Sequence, residues 1–157
     1  MMNKKEILLR KELENDLTLL TRALRTFEYS YENCKKIGLK NEYSDEELEK
    51  FESLTSRFAR ISDILTQKIL KSIFLLLRED AKTFIDRINK AEKFEMIDSA
   101  EQLKTIRDLR NEIAHEYSIE DISEIFENVL EYSGVLFEMI DSIKKYIDTQ
   151  QLTRTEP

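Results

Sequence analysis

Two glycines, Gly38 and Gly134, and one proline, Pro157, are all the strong turn-formers in a chain of 157 residues. Glycine and proline set the backbone angles of tight turns, and a sandwich or barrel needs such signals every few residues. A chain this poor in them must run in a handful of long helices. An all-β fold is excluded, and an α/β fold nearly so. The length is that of one domain. A domain of this size buries roughly 68–70% of the surface its unfolded chain exposes, enough for a core without staples. Leu, Ile, Phe and Tyr are plentiful, so the composition is that of a folded chain and not a disordered one.

Apolar spacing places the helices. Leu9, Leu13, Leu17, Leu20, Leu24, Phe27, Tyr31 and Cys34 recur at steps of three and four, which predicts a first helix over about Asn3–Ile37 with one apolar face. Gly38 is placed to end it in a left-handed conformation. After a loop over Asn41–Ser44, Ser44 with Glu47 forms a capping box and opens a second long helix running to about Arg78. A shorter third helix is expected over Asp80–Lys93, with Phe94–Asp98 as its connection onward. Ser99 with Gln102 is a second capping box, starting a fourth helix that lasts to His115 or Tyr117. Ser118, followed by Asp121, is expected to cap a fifth helix ending near Ile147. Short connections favour antiparallel neighbours. The expected fold is therefore all-α, an up-and-down antiparallel bundle of four to five helices. It forms one domain over 1–147, with a polar, frayed tail over 148–157. Gly134 falls inside the fifth helix, where close approach of a neighbour would explain it. Two apolar stripes on that helix look wider than one neighbour needs, which points to self-association.

The acidic balance, −7 at neutral pH, argues against wrapping a duplex and leaves only a small local site for nucleic acid. One cysteine, Cys34, allows no intrachain disulfide and no four-thiolate zinc site, which fits a reducing compartment. The longest apolar run, Ile73–Leu77, is far short of the roughly 20 residues of a membrane span. Met1–Arg10 lacks a signal-peptide core. A cytoplasmic location is expected, with no membrane association and no metal.

The fourth helix does not fit a plain bundle. At about 100° per residue, Leu103, Ile106, Ile113, Ala114 and Tyr117 all fall within roughly 60° of Arg110. A guanidinium on a core-facing stripe needs a partner, because desolvating it is costly. Either a carboxylate from another helix meets it, or it lines a polar cleft open to an anion, which its planar fork grips well. Arg57, Arg60 and Asp63, near Ser56 and Ser62 on the second helix, are candidates to face that cleft or to be surface charges. His115, the only histidine, lies about 140° from Arg110 on the same wheel. The two converge on one ligand only if the helix ends near His115, or if two chains pool their residues. Asn111 and His115 share a face as i, i+4 neighbours. Histidine offers a proton near neutral pH and arginine a phosphate contact. Together they are the least that metal-free cleavage by a ribose 2′-hydroxyl requires.

The run Arg110-Asn-Glu-Ile-Ala-His-Glu-Tyr117 resembles the R-x4-H-x-Y signature of the HepT branch of HEPN-domain proteins, the toxins of bacterial and archaeal toxin–antitoxin pairs. Thr105–Leu109 before it, the long amphipathic helix after it and the helices preceding it are similar to that family too, over about Leu9–Ile147. The resemblance implies a metal-independent endoribonuclease without cofactor, acting on RNA as a homodimer with its cleft at the dimer interface. Arg110 would hold the scissile phosphate, and His115 would act as general base or acid, its copy in the second subunit taking the opposite role. Asn111 would orient a phosphate or the imidazole. Tyr117 would accept AMP from a partner nucleotidyltransferase of the MNT type, blocking the cleft; packing against the apolar stripe is its plain alternative. A catalytically idle helical module that binds substrate or nucleotide for such a nucleotidyltransferase is the second reading. A plain bundle with Arg110 in a salt bridge is the third.

Overall fold

The computed structural model describes residues 2–115 and 121–155. Helix α1 spans Lys4–Ile37, with Asn3 as its N-cap accepting from the Glu6 amide. Its predicted stripe turns inward: Leu13, Leu20, Leu24, Phe27 and Cys34 are buried. Gly38 ends the helix, its amide donating to the Cys34 carbonyl at 3.0 Å. Its φ of 74° is positive as expected, but ψ is −177°, an extended value at which only glycine is comfortable.

The capping box at Ser44 and Glu47 closes in both directions and starts α2, Asp45–Asp63. The predicted continuous helix to Arg78 is instead a composite rod: α2, a π-helical segment over Ile64–Ile69, and α3, Leu70–Leu76. The stripe explains the interruption. Ile61, Leu65, Ile69 and Ile73 are all fully or almost fully buried at steps of four. In an α-helix each such step overshoots a turn by about 40°, so the stripe would drift off the core. A wider coil with i→i+5 bonds keeps them aligned.

Helix α4 begins later than expected, at Phe84, and runs to Lys93. The signal overlooked was Thr83, whose side chain accepts from the Asp86 amide. Helix α5, Ala100–Ala114, starts at the predicted Ser99 cap, with its side chain accepting from the Gln102 amide. Helix α6, Ile122–Thr149, has Asp121 at its N-cap position. Ser118, expected to cap it, lies outside the described residues.

The architecture is all-α, a bundle in which α1 packs along the whole α2–π–α3 rod. Helix α5 packs against α2, α4 and α6, and α6 closes the core against α2 and α1. Phe51 stacks on Phe126 and Phe27 on Phe137, tying α6 to the rod and to α1. Three expectations are corrected here. The two stripes of α6 are both absorbed within the one chain, since Ile125, Phe126, Met139 and Ile143 are buried and Tyr132 and Tyr146 pack against the core. The width of the two stripes is therefore met by packing within the chain, with Leu130, Val135 and Phe137 partly buried beside them. At Gly134 no neighbour comes close: an added Cβ would meet only the Tyr31 hydroxyl, at 3.8 Å. The C-terminal segment is not frayed as far as it is described. Leu152 is buried, and the Arg10 guanidinium donates to the carbonyls of Gln151 and Arg154. Among the described residues no helix is long and apolar enough to cross a membrane.

Candidate functional site

Helix α5 crosses the rod where α2 passes into its π segment. There Arg110 meets Asp63: Nε donates to Oδ1 at 2.8 Å and Nη2 to Oδ2 at 2.9 Å, a bidentate pair. Of the two fates open to an inward-placed arginine, a carboxylate from another helix has met it. The side chains of the pair remain 29% and 34% exposed, which places it at a rim and not in the core. The wheel set Arg110 in the middle of the buried stripe. In the structure the stripe is Ala100, Leu103, Ile106 and Leu109, while Ala114 is exposed, so the apolar face is rotated and Arg110 lies at its edge. At that exposure the pair contributes on the order of 1 kcal/mol or less. The hydrogen bonds that Arg110 donates to Asp63 push its guanidinium above the ordinary value against the opposing effect of burial, so it is a cation at every physiological pH.

The pair occupies one edge of the guanidinium. The other edge, through Nη1, donates to no described residue. Arg110 lines an open groove of about 840 Å³ whose walls also carry Arg60, Gln67 and Lys68 from the rod and Leu19 from α1. Three cations face one carboxylate there, in a chain that is acidic as a whole. A groove of that sign attracts anions.

The candidates on α2 separate cleanly. Arg60, Asp63 and Ser56 line the groove. Arg57 turns to the other side and donates to the Thr26 carbonyl and the Ser30 hydroxyl of α1. Ser62 is fully buried. Gln67 and Lys68 were missed by the sequence reading. The signal for them is their place four residues beyond Asp63 and Ile64, on the side that the π segment holds in line with the groove.

Helix α5 ends at Ala114, and His115 follows in extended backbone with φ −92° and ψ 152°. Its amide donates to the Glu112 carbonyl at 3.2 Å, and the residue is exposed. The helix thus ends just before His115, as one of the two expected arrangements requires. Even so, His115 is not among the groove-lining residues of its own chain, and neither is Asn111, which is also exposed. Within one chain, therefore, the structure brings Arg110 together with Asp63, Arg60 and Lys68, and not with Asn111 or His115. Tyr117, the expected acceptor of AMP, lies outside the described residues. Among the described residues no three His, Cys, Asp or Glu side chains gather closely enough to hold a metal ion.

Comparison with protein-family models, with curated proteins and with solved structures finds no match to this chain.

Proposed function

We propose that the chain is a metal-independent endoribonuclease, a toxin of the HepT type acting as a cytoplasmic homodimer and paired with an MNT-type nucleotidyltransferase. The observation that carries this reading is Arg110 itself. It is pinned by Asp63 along one edge, keeps a second edge unbonded by any described residue, and shares its groove with Arg60 and Lys68. A guanidinium held in this way is preorganised for a phosphodiester, because its orientation is set before substrate arrives. In the reaction, His115 removes the proton of a ribose 2′-hydroxyl and the freed oxygen attacks the adjacent phosphorus. The bond to the 5′-oxygen breaks, leaving a 2′,3′-cyclic phosphate, and the departing oxygen takes a proton from the second His115 of the dimer. Arg110 stabilises the charge that builds on the phosphoryl oxygens. Asn111, beside Arg110 in sequence, orients the phosphate or the imidazole. Transfer of AMP from ATP to the Tyr117 hydroxyl, with release of pyrophosphate, would place a bulky anion at the cleft and exclude RNA.

The motif and the single-chain geometry both support a homodimer. His115 follows the helix in extended backbone and does not line its own groove, which favours two copies pooling residues so that Arg110 and His115 share a phosphate. The competing reading is a catalytically idle helical module that binds an anionic ligand for a nucleotidyltransferase. The same groove would serve it, and it needs no imidazole beside Arg110, as is the case in the single chain.

Growth of cells expressing the chain separates the two. Wild-type expression is expected to arrest growth, His115→Ala and Arg110→Ala to relieve the arrest, and co-expression with a cognate nucleotidyltransferase to add the mass of AMP to the peptide carrying Tyr117. Equal toxicity of wild type and both variants contradicts the nuclease reading, and an unmodified peptide removes the role of Tyr117.

A further inference from the structure

A second cationic cavity lies at the C-terminal end of the rod and shares no lining residue with the Arg110 groove. It is about 560 Å³, formed where α3 ends and the chain crosses to α4, and it is lined by Lys71, Arg78, Lys82 and Arg87 over an apolar floor that includes Leu75. None of these four cations lies within salt-bridge reach of a described carboxylate. Of the two acids on the wall, Glu79 is already held by Lys90 at 3.2 Å, and Asp80 belongs to the connection itself.

Two further features mark the place. Arg87 forms no salt bridge with a described carboxylate, although the adjacent Asp86 offsets part of its charge. One nitrogen, Nη1, donates to the Lys82 carbonyl at 2.9 Å, and its buried Nε has no partner among the described residues. Burial and the nearby Arg107 both hold its guanidinium below the ordinary value. Arg78 is the second feature. It sits at φ 57°, the left-handed conformation in which a side chain is strained and glycine is preferred. This conformation closes α3 and sets Arg78 on the wall of the cavity that it lines.

We propose that this cavity is a second anion site, taking a ligand with adjacent phosphoryl groups that is gripped by Arg78, Lys82 and Lys71. Phosphoryl groups suit it because several negative charges must be met within a small volume, and arginine and lysine both bind them well. Leu75, nearly half exposed at 47%, offers an apolar surface to the body of such a ligand. This inference does not depend on the nuclease reading, because the two cavities share no lining residue.

The test is titration of the ¹⁵N-labelled full chain with inorganic pyrophosphate, and separately with ADP, followed by amide shifts at about 0.05 M salt, where screening is weak. Saturable shifts are expected at Lys71, Arg78, Lys82 and Arg87. Tighter binding of ADP assigns a nucleotide, and equal binding assigns the phosphoryl pair alone. Arg78→Gly is expected to weaken binding about tenfold while raising the thermal midpoint by about 2–4 °C, since it removes the cation and relieves the backbone together. Lys82→Gln, on the exposed connection, is expected to weaken binding without changing the midpoint. Absence of saturable shifts at these four residues, or unchanged affinity in both variants, overturns the proposal.

Discussion

Gly134 and Cys34 show how single residues in this core can be read from their surroundings. A glycine inside a helix costs about 1 kcal/mol relative to alanine. At Gly134 the space a methyl group would need is open, with the Tyr31 hydroxyl at an ordinary 3.8 Å. Gly134→Ala is therefore expected to raise the unfolding free energy by about 0.5–1 kcal/mol, measurable as a higher urea midpoint at unchanged slope. A decrease would mean that α1 and α6 approach more closely than the structure shows. Cys34 is fully buried, and burial pushes its thiol from an ordinary 9.0 to about 11. The folded chain keeps its proton where the unfolded chain loses it. This contribution to stability is intact below pH 9 and is lost as pH rises toward 11. Native chain is expected to resist thiol reagents at pH 8 and to react only on unfolding; rapid labelling of native chain would contradict that. Cys34 was legible as a lone thiol, but its burial followed only from the stripe on which it sits. Arg110 was legible as a residue out of place. Its partner was not, because Asp63 lies 47 positions away and only packing of α5 on α2 joins them.

At the scale of elements, α3, α4 and α6 stop without the glycine that usually stops a helix and that ends α1. Arg78, Glu95 and Gln151 all adopt positive φ. At each, the following amide reaches back five residues: Glu79 to the Phe74 carbonyl, Met96 to Ala91 and Leu152 to Ile147. This closes α3, α4 and α6 with the same motif. In two of the three the following side chain, Met96 or Leu152, is buried, and that burial offsets the left-handed strain. Glu95→Gly keeps the apolar contact and removes the strain. It is expected to stabilise the protein by about 1 kcal/mol, read from thermal or denaturant unfolding. A loss of stability would show that the Glu95 side chain makes a contribution of its own. These endings explain where the sequence was hard to read. Ser44 and Ser99 were visible as side-chain caps at helix starts; the end of α6 carries no glycine, so its extent and the docking of Leu152 were not. The π segment was invisible for a related reason: steps of four are compatible with an α-helix until several occur in succession.

For the molecule as a whole, scarcity of turn residues and regular apolar spacing were enough to predict an all-helical bundle, because both act through local backbone preferences. The site is a matter of tertiary placement. The groove draws Arg60, Asp63 and Lys68 from the rod, Arg110 from α5 and Leu19 from α1, and it is basic although the chain is acidic. The central claim is that this groove holds the phosphate of an RNA strand while His115, supplied across a twofold axis, moves its proton. Cleavage of RNA by the purified chain in excess EDTA tests it most directly, with wild type beside His115→Ala. Persistent cutting by wild type in chelator, leaving 2′,3′-cyclic phosphate ends, and a loss of at least about a hundredfold in the variant are the predicted results. Intact RNA with wild type, or equal cutting by the two proteins, would contradict the account.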